Sequence, residues 1–391
     1  MVGVDVGTMF INCARSEGGK NIIRTIRNCF LSLDDLTDNI DWLKENTNAS
    51  IVEIKDDDGD VKSFVVGSDA MSLPNAKVRR GMSNGILNPS EEDAAIIIAK
   101  MIEIVVGAAL YPHEIACVSI PANTIDNTID NINHKRIIEK IFVDLGYDFV
   151  PINEGLAIIY ANNPVVIDDD GKKTPFSGCG ISMGGGMVNI SHAYMGIPTP
   201  ELTFSVPRSG DFLDERTAST FGKDASGNPI VSPSEVARFK EKYLDLTRLD
   251  TDYTNDELDN LGFKKSSKRN KFRKMHFGLC SYYEDLINFV LANFVEKFKQ
   301  SKIQSDYEVE IVIAGGTSMP KGVVEKFEKI LAERGDFPFE VKCVRRAADP
   351  FNSTALGALT KATSEEKKRG KTNLSPKRQS RKEPLNDAPT V

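Results

Sequence analysis

The alternation of apolar and polar residues divides the first half of the chain into strands followed by helices. Short apolar runs at 2–6 and 22–30 are typical of strands, and residues 49–70 predict a hairpin that turns at "DDDGD". Further along, the pattern predicts a helix over 94–110, a strand over 115–121, a helix over 129–146, and a strand leading into a helix over 147–163. Strands that alternate with helices in this way predict an α/β sheet with right-handed crossovers.

The second half repeats this pattern after a polar turn at 168–178. It predicts, in order, a strand ending in "SMGGG", hairpin strands over 188–212, helices over 233–246 and 276–300, a strand, turn and helix over 309–335, a strand over 339–344 and a helix over 349–362. Each half opens with a strand that runs into a glycine turn, "VGVDVGT" in the first and "CGISMGGG" in the second. Two similar α/β halves with facing glycine turns predict a cleft that suits a nucleotide.

Composition and charge place the chain among soluble globular proteins. Its 391 residues are 40% hydrophobic and 27% charged, enough for two domains, and the net charge of −7 argues against direct nucleic-acid binding. The six cysteines are scattered without a CxxC pair, which is typical of reduced thiols in a cytoplasmic protein. Lys100 and Glu103 interrupt the short apolar run 94–110, so we expect no integral membrane segment, and no signal peptide before the first strand.

Four short segments carry candidate chemistry. In "GVDVGT", Gly7 and Thr8 could hold a phosphate through backbone amides and a hydroxyl, and Asp5 could hold Mg²⁺ directly or through water. The glycine loop 182–186 is a second phosphate candidate, and the "AGGTSMP" turn lets backbone pass close to a sugar or base. Glu154 begins a helix, where it could orient an attacking water or simply cap the helix. A glycine turn can be only a turn, but the four in this order predict a nucleotide site.

These segments resemble the motifs of the actin, MreB and seventy-kilodalton heat-shock chaperone ATPase superfamily. "GVDVGT" and "SMGGG" resemble its two phosphate motifs, "IAGGTSMPKG" its adenosine motif, and "INEGLAIIYA" and "ADPFNSTALGALTKA" its two connecting helices. The resemblance covers roughly residues 1–363, and residues 66–94 are most similar to MreB-type bacterial actin-like proteins.

The resemblance implies the actin-like ATPase fold, with two similar α/β domains, each carrying a smaller subdomain, and a nucleotide cleft between them. Domain I is expected over 1–163 with its small subdomain at about 31–90, and domain II over 164–347 with its small subdomain at about 222–275. The segment 348–363 is then a C-terminal connecting helix that packs back on domain I. Residues 364–391 are basic and almost free of apolar side chains, which predicts a disordered tail, either a solvated end or a tether for an adaptor or an anionic partner.

The resemblance further implies that ATP and Mg²⁺ are the cofactors, with Asp5 and Glu154 catalytic and Asp5 at the metal. The other residues expected to contact the nucleotide are Gly7, Thr8, Met9, Ser182, Gly184, Gly185, Gly186, Gly210, Lys240, Glu241, Gly315, Gly316 and Thr317. Lys240 and Glu241 are candidate base and ribose contacts, although a helical surface of alternating charge is the other interpretation. Arg79 or Arg80 is a candidate phosphate contact.

The sequence departs from the family pattern around the second glycine loop. Ser182 stands where the family has aspartate, Met187 and Asn189 replace the threonine and the acid that follow, and Met9 replaces a small polar residue. The glycines that suit a phosphate are kept, while the negative charge near the metal is reduced. Slow hydrolysis, or nucleotide binding with little hydrolysis, is the expected consequence.

The resulting hypothesis is a cytoplasmic actin-like protein, a slow ATPase that assembles head to tail into nucleotide-dependent filaments. A monomeric nucleotide switch and a weakly hydrolysing chaperone-like ATPase acting through a partner are the alternatives. The cargo stays open between cell shape, plasmid or phage DNA positioning, and organelle alignment, as do filament polarity and strand number. The basic run 264–274 is read as a solvated face, with contact to DNA or anionic lipid as the other interpretation.

Overall fold

The computed structural model describes residues 1–33, 50–55, 59, 61–72, 78–126, 129, 131–162, 165–167, 171 and 173–370. Contacts divide the chain into two compact units. Unit 1 consists of Met1–Pro164 together with Asn352–Val391, and unit 2 consists of Val165–Phe351. Within the described ranges, no helix combines the length and the apolar character needed to cross a bilayer.

The elements alternate along the chain much as the sequence pattern predicts. The strands are β1 (Val2–Val6), β2 (Phe10–Glu17), β3 (Lys20–Arg27), β4 (Phe30–Ser32), β5 (Ile51–Lys55), β6 (Val61–Val66), β7 (Met82–Ser83), β8 (Ile86–Leu87), β9 (Ile115–Ile120), β10 (Asp148–Asn153), β11 (Val165–Ile167), β12 (Lys173–Pro175), β13 (Gly178–Met183), β14 (Val188–Tyr194), β15 (Ile197–Val206), β16 (Glu308–Ala314) and β17 (Glu340–Arg346). The α-helices are α1 (Asp69–Ser72), α2 (Ala94–Val105), α3 (Asn131–Asp144), α4 (Glu154–Ala161), α5 (Gly210–Ser219), α6 (Pro233–Tyr243), α7 (Asn255–Asn260), α8 (Ser266–Gln300), α9 (Val323–Arg334) and α10 (Ser353–Lys368).

The main sheets of the two units have the same topology. In unit 1 the strand order is β10-β9-β1-β2-β3, and in unit 2 it is β17-β16-β13-β14-β15. In each sheet the first three strands of that order run parallel and the last two are added as antiparallel hairpins. The repetition in the sequence is therefore a repetition of topology, and the predicted α/β architecture of two similar halves is confirmed.

The smaller sheet β4-β6-β5 in unit 1 contains the predicted hairpin. β5 pairs with β6 in antiparallel register, with Ile51 opposite Val65. Most of the acidic turn "DDDGD" lies outside the described residues. The hairpin follows from alternation, because Val52, Ile54 and Phe64 are buried while Glu53 and Lys55 between them are exposed.

The apolar segment considered as a membrane candidate forms α2 inside unit 1. Its buried side chains recur at helical spacing and join the core that covers the main sheet. Lys100 and Glu103 lie together on its outer side, where their side chains form an ion pair of 2.9 Å. The prediction of a buried helix over this segment is therefore confirmed.

Helix α10 closes unit 1 by packing across α4 and β1. Helices α10 and α4 cross at Gly357, where a Cβ atom would lie 1.7 Å from the carbonyl oxygen of Ala157. Only glycine allows the two backbones to come this close. The contact holds the last helix of the chain against the rest of unit 1.

We expect Gly357→Ala to destabilise unit 1 although alanine favours helices. The added methyl meets backbone rather than a flexible side chain, so the two helices must separate, and overpacking of this kind costs roughly 1–3 kcal/mol or more. Urea unfolding monitored by circular dichroism measures the change. Thr360→Ala, at an exposed position of the same helix, is the control. Unchanged stability for Gly357→Ala would contradict the close approach.

Helix α10 also extends further than the sequence analysis expected, because a tail was predicted to begin at residue 364. The helix continues to Lys368. Glu366 is buried and accepts a hydrogen bond from the hydroxyl of Tyr111 at 2.7 Å. Arg369 pairs with Asp148 at 2.6 Å. The polar residues after 363 thus have partners in unit 1, and only the part of the predicted tail from 371 to 391 lies outside the described residues.

Helix α8 begins ten residues before the predicted start at residue 276 and contains most of the basic run. Arg269 donates two hydrogen bonds, of 2.8 and 2.7 Å, to the carboxylate of Asp259. Lys271 forms an ion pair of 2.7 Å with Glu235. Acidic residues on α6 and α7 thus neutralise part of the run, which allows it to be helical.

A buried histidine on α3 makes the stability of unit 1 depend on pH. The Nδ1 atom of His134 accepts a hydrogen bond from the backbone N–H of Leu87 at 3.3 Å, and burial lowers the pKa of His134 to about 4. The unfolded chain takes up this proton near the ordinary pKa of 6.5, whereas the folded chain does not. The stability that His134 contributes is therefore complete above pH 6.5 and is lost as the pH falls towards 4.

We expect His134→Asn to flatten this pH dependence, because the asparagine oxygen can replace Nδ1 as the acceptor without titrating. Between pH 7.5 and pH 5 the wild type should lose about 1–2 kcal/mol more than the variant. Urea unfolding at both pH values gives the difference. Parallel pH profiles for the two proteins would show that His134 does not titrate as its burial implies.

Candidate functional site

The first glycine turn joins β1 to β2 and is held from one side. The N–H of Gly7 donates to the carbonyl of Phe10 at 3.0 Å. Asn28 donates from its side chain to the carbonyl of Gly7 and from its backbone to that of Met9, both at 2.9 Å. In a trans peptide the N–H points opposite to the carbonyl, so the N–H of Thr8 points away from Asn28.

The contacts near this turn show where Thr8 and the two candidate arginines lie. The buried hydroxyl of Thr8 accepts a hydrogen bond from the N–H of Gly85 at 3.0 Å. Arg80 reaches the turn, with its guanidinium 2.9 Å from the sulfur of Met9. Arg79 instead pairs with Glu91 at 3.1 Å. Of the two arginines, Arg80 is therefore the one beside the turn.

Asp5 lies just before the turn with a carboxylate that is costly to ionise. The hydroxyl of Ser119 donates to its Oδ1 atom at 2.7 Å, and Asn12 faces it across the β1–β2 pair. Burial raises the pKa of Asp5 to about 6, although the hydrogen bonds from Ser119 and Asn12 lower it. No cationic side chain among the described residues forms an ion pair with Asp5. A bound cation would compensate this charge.

Glu154 lies at the same edge of the unit 1 sheet as Asp5. The strands β1, β9 and β10 run parallel, and Ser119, which contacts Asp5, pairs with Ile152 in β10. Glu154 follows Ile152 by two residues and begins α4, so it lies about two strand spacings, or ~10 Å, from Asp5. The carboxyl edge of parallel strands is where α/β proteins bind their ligands. Both predicted catalytic acids are at this edge.

The second glycine turn, in unit 2, has the same backbone pattern as the first. The N–H of Gly184 donates to the carbonyl of Met187 at 3.0 Å, as Gly7 does to Phe10. Ser182 pairs with Asn189 as Asp5 pairs with Asn12. Ser182 therefore takes the position of Asp5 in the repeated turn. The sequence comparison with the family pattern counted Asn189 as a loss of charge. Unit 1 has an asparagine too, Asn12, at the equivalent position.

The carbonyl groups of Gly184 and Gly185 in the second turn point into unit 2. The oxygen of Gly184 accepts from the hydroxyls of Ser209 at 2.6 Å and Thr317 at 2.7 Å, and from the N–H of Gly210 at 3.3 Å. The oxygen of Gly185 accepts from the N–H of Asp211 at 2.8 Å. Because peptides are trans, the N–H groups of Gly185 and Gly186 point the other way. Neither N–H has an acceptor among the described residues, so together they offer two donors that an anion could accept.

Lys240 holds the helix that contacts the second glycine turn. Its buried ammonium group donates to the carboxylate of Asp214 at 2.7 Å and to the carbonyl of Gly210 at 3.1 Å. Burial raises the pKa of Asp214 to about 6 in spite of Lys240, which lowers it. A Cβ atom at Gly210 would lie 2.7 Å from the hydroxyl of Thr317. Lys240 thus positions the start of α5, and Glu241 is exposed beside it on α6.

The predicted adenosine turn follows β16 in unit 2. Gly315 has a left-handed φ of 92°, and its N–H donates to the carbonyl of Pro350 at 2.7 Å. The 3₁₀ turn Gly316–Ser318 then places Thr317 against the second glycine turn, and the hydroxyl of Tyr283 donates to the carbonyl of Thr317 at 2.8 Å. A Cβ atom at Gly316 would meet no atom within 4 Å. Gly316 is therefore an open position next to the second glycine turn.

The structure brings the predicted residues together within each unit. Unit 1 gathers Asp5, Gly7, Thr8, Met9 and Glu154 at one sheet edge. Unit 2 gathers its own predicted set around one turn, namely Ser182, Gly184, Gly185, Gly186, Gly210, Lys240, Gly315, Gly316 and Thr317, with Glu241 on the neighbouring surface.

Sequence reasoning missed the side chains that hold these turns, namely Asn12, Asn28, Ser119, Ser209 and Asp214. A polar residue inside an apolar strand, such as Asn12 or Ser119, is the one signal that could have indicated them.

Comparison with solved structures shows the fold of the chain. A structure titled "MamK double helical filament" matches with a TM-score of 0.60 at 16% sequence identity, covering 93% of this chain and 98% of that one. A non-polymerising MamK mutant bound to AMPPNP matches with a TM-score of 0.50 at 15% identity and the same coverage. At these identities the likeness establishes the actin-like fold.

Comparison of sequences shows the family. No curated protein sequence matches the chain. The family model described as Volactin matches residues 1–261 and 263–362, which is most of the 391 residues. The chain therefore belongs to the Volactin family and has the actin-like fold.

Proposed function

We propose that the chain is an actin-like ATPase that binds ATP with Mg²⁺ and assembles head to tail into nucleotide-dependent filaments. The observation that carries the proposal is the pair of equivalent turns, one in each unit. In both, the carbonyl of the first glycine is bonded inward and the following N–H faces outward. Each of these turns suits a phosphate group of a nucleotide.

The carboxylate of Asp5 implies a cation in addition to the phosphates. A phosphate group brought to the Gly7 turn meets a buried carboxylate that has no ion-pair partner among the described residues, and the two negative charges repel. A divalent cation between them removes this repulsion. Mg²⁺ fits because it is commonly held by one or two carboxylates together with substrate phosphates. When bound, it would neutralise charge on the phosphates.

The roles of the remaining side chains follow from their positions. Glu154 lies at the edge that carries Asp5, where a carboxylate can orient a water molecule and accept its proton. Ser182 brings no second negative charge to the turn of unit 2. Lys240, which is bonded to Asp214, acts as a support of the turn rather than as a direct base contact. With Asp5 as one carboxylate near the proposed metal and Glu154 as one general base, we expect slow ATP turnover.

Assembly is proposed from the shared fold. MamK, whose fold this chain shares, has been solved as a double helical filament. A head-to-tail contact that does not close into a ring produces such a polymer. A monomeric nucleotide switch with the same site is the competing proposal, and the two differ in whether protein sediments when ATP is added.

Thermal unfolding and sedimentation test the proposal together. We expect ATP with Mg²⁺ to raise the melting temperature, since a ligand that binds only the folded state stabilises it, and to make the protein sediment above a critical concentration. Gly185→Val should remove both effects by filling the space in front of the Gly185 and Gly186 amides. Ser226→Val, at an exposed turn of unit 2, should change neither. An unchanged wild-type melting curve at millimolar ATP contradicts nucleotide binding, and a thermal shift without sedimentation favours the switch.

A further inference from the structure

Unit 2 has a groove of about 480 Å³ at the end of β14 that is far from the second glycine turn. One wall consists of Tyr194 and the first residues of β15, and the other consists of residues of the segment 302–307 between α8 and β16. Its apolar edge is strongly exposed, with Ile197 at 69% and Tyr194 at 48%. The proposed nucleotide site uses none of these residues.

The aromatic floor of this groove is held in place by a buried histidine. The rings of Tyr194 and Tyr307 lie 4.4 Å apart, and the ring of Tyr307 also packs against Phe339 at 5.2 Å. The two nitrogens of His192 lie 3.2 Å from the hydroxyl of Tyr307 and 2.9 Å from that of Thr199. Burial lowers the pKa of His192 to about 4, so the imidazole is neutral at pH 7. A floor that is fixed in advance lowers the entropic cost of binding.

The strand that forms one wall cannot readily accept a further strand. β15 lies at the edge of its sheet, but Pro198 and Pro200 have no N–H to donate. The groove is therefore suited to a partner that it recognises by ring faces and side chains. A polyproline II segment is such a partner, because it needs no ladder hydrogen bonds and docks in aromatic-lined grooves.

The charges along the groove favour a basic partner. Glu201 and Asp306 are exposed on opposite walls, and neither forms an ion pair with another described residue. Of the described residues that line the groove, Lys302 is the only basic one. The neutral His192 adds no positive charge behind them. Electrostatic complementarity then selects a segment with an excess of lysine and arginine.

The chain itself contains a segment with this chemistry in 371–391, which lies outside the described residues. It has five basic and two acidic residues and three prolines, and in "RKEPL" (381–385) a proline and a leucine closely follow two basic residues. The wall from Ile197 to Glu201 is about 13 Å long. A polyproline II segment advances about 3.1 Å per residue, so the groove spans about four of its residues.

We propose that this groove binds the segment 371–391 in an extended, polyproline II conformation. Pro384 and Leu385 lie on the two tyrosines, and the basic residues before them face the two carboxylates of the groove. The basic tail, for which the sequence indicates an anionic partner, thereby has one within the chain. The contact needs no nucleotide, so it stands or falls independently of the proposed ATPase.

A labelled peptide with the sequence of residues 371–391 tests the proposal. It is titrated into a chain that ends at Gly370, after melting curves have shown that this chain folds like the full-length protein, and fluorescence anisotropy reports binding. We expect saturable binding that Tyr194→Ala weakens about tenfold or more, since an aromatic anchor is removed. Ile230→Ala, at an exposed apolar position of unit 2 outside the groove, is the control.

Reversing single charges in the groove should move the affinity in opposite directions. Glu201→Lys should weaken peptide binding and Lys302→Glu should strengthen it, each by about fivefold, as expected for exposed ion pairs. Added salt should reduce both effects. Unchanged affinity in the two variants would contradict the assigned role of the carboxylates.

Disulfide trapping tests the contact in the full-length protein. Leu385→Cys is combined with Ile197→Cys in a background where the half-buried Cys280 and Cys343 are replaced by serine. Under mild oxidation we expect the 197–385 disulfide to form at least about tenfold faster than a 230–385 disulfide in the matched protein with Ile230→Cys, because docking raises the local concentration of the two thiols. Equal rates would show that the segment does not prefer the groove.

Two further results would overturn the proposal. One is the absence of saturable peptide binding up to millimolar concentration. The other is a change in sedimentation of the full-length Tyr194→Ala protein without any binding of the peptide, which would assign the groove to a second copy of the chain. The groove variants should melt at the wild-type temperature, and a lower melting temperature for Tyr194→Ala would attribute its lost binding to the fold and not to the groove.

Discussion

Replacing Asp5 with asparagine is expected to abolish the additional stabilisation that Mg²⁺ gives in the presence of ATP, while making the nucleotide-free protein more stable. Among the described residues the carboxylate is the one negative charge at the Gly7 turn that a cation can use, so its removal takes away the proposed metal site. ATP without metal should bind the variant at least as well as the wild type, because the repulsion between the carboxylate and the phosphates is gone. Melting temperatures with ATP, with and without Mg²⁺, give these results.

The gain in stability without nucleotide follows from the raised pKa of Asp5. The folded chain holds the proton up to about pH 6, whereas the unfolded chain releases it near 3.8. The stability that the protonated carboxyl of Asp5 contributes is therefore fully present below pH 3.8 and is lost as the pH rises through 6. At pH 7.5 the ionised carboxylate costs up to about 3 kcal/mol, so Asp5→Asn should gain about 1–3 kcal/mol.

The same gain should fall by about half at pH 5, where the folded carboxyl is mostly protonated. Urea unfolding at pH 7.5 and pH 5 measures it, and Asp306→Asn at an exposed position is the control. If Asp5→Asn loses stability at pH 7.5, its hydrogen bonds with Ser119 and Asn12 outweigh the cost of the buried charge. A retained Mg²⁺-dependent shift would place the metal elsewhere.

Glu154→Gln is expected to lower ATP turnover by roughly 10²–10⁴-fold, the usual contribution of one positioned general base. Glutamine keeps the size of the side chain and its place at the start of α4 but cannot accept a proton. Nucleotide binding should persist, because the turns that hold the phosphates are unchanged. Phosphate release at saturating ATP and the thermal shift produced by ATP with Mg²⁺ are measured on the same protein.

The first-turn glutamate of α9 provides a matched control. Glu325 is exposed near the start of a helix in unit 2, so Glu325→Gln removes a comparable helix-terminal charge without touching the site. Both variants should unfold at similar urea concentrations. Turnover in Glu154→Gln equal to that of the wild type would leave Glu154 with only its favourable charge at the start of α4.

The elements with clear periodicity could be predicted from sequence, and the ends of two long helices could not. α2 was recognisable because its apolar residues recur at helical spacing. The start of α8 and the end of α10 are rich in charge and look solvated in a sequence window. In the structure, Arg269 and Glu366 have partners in Asp259 and Tyr111, and Tyr111 is more than 200 residues away from Glu366.

The candidate site could likewise be predicted only in part from the sequence. Glycine turns after strands, and the carboxylate of Asp5 before one of them, are local features that a motif can contain. The side chains that hold these features in place come from other strands and loops. Asn28 bonds to the Gly7 turn, and Ser119 bonds to Asp5. Lys240 shows the limit most clearly. Its place on α6 was visible in the sequence, whereas its bond to Asp214 depends on how α5 and α6 pack.

The end of α10 has a practical consequence for labelling. Arg369 pairs with Asp148 at the beginning of β10, whereas Glu154 follows the other end of that strand. A fluorescent protein or affinity tag joined directly to Gly370 therefore starts on the opposite side of unit 1 to Asp5 and Glu154, and leaves the edge that carries these two acids accessible.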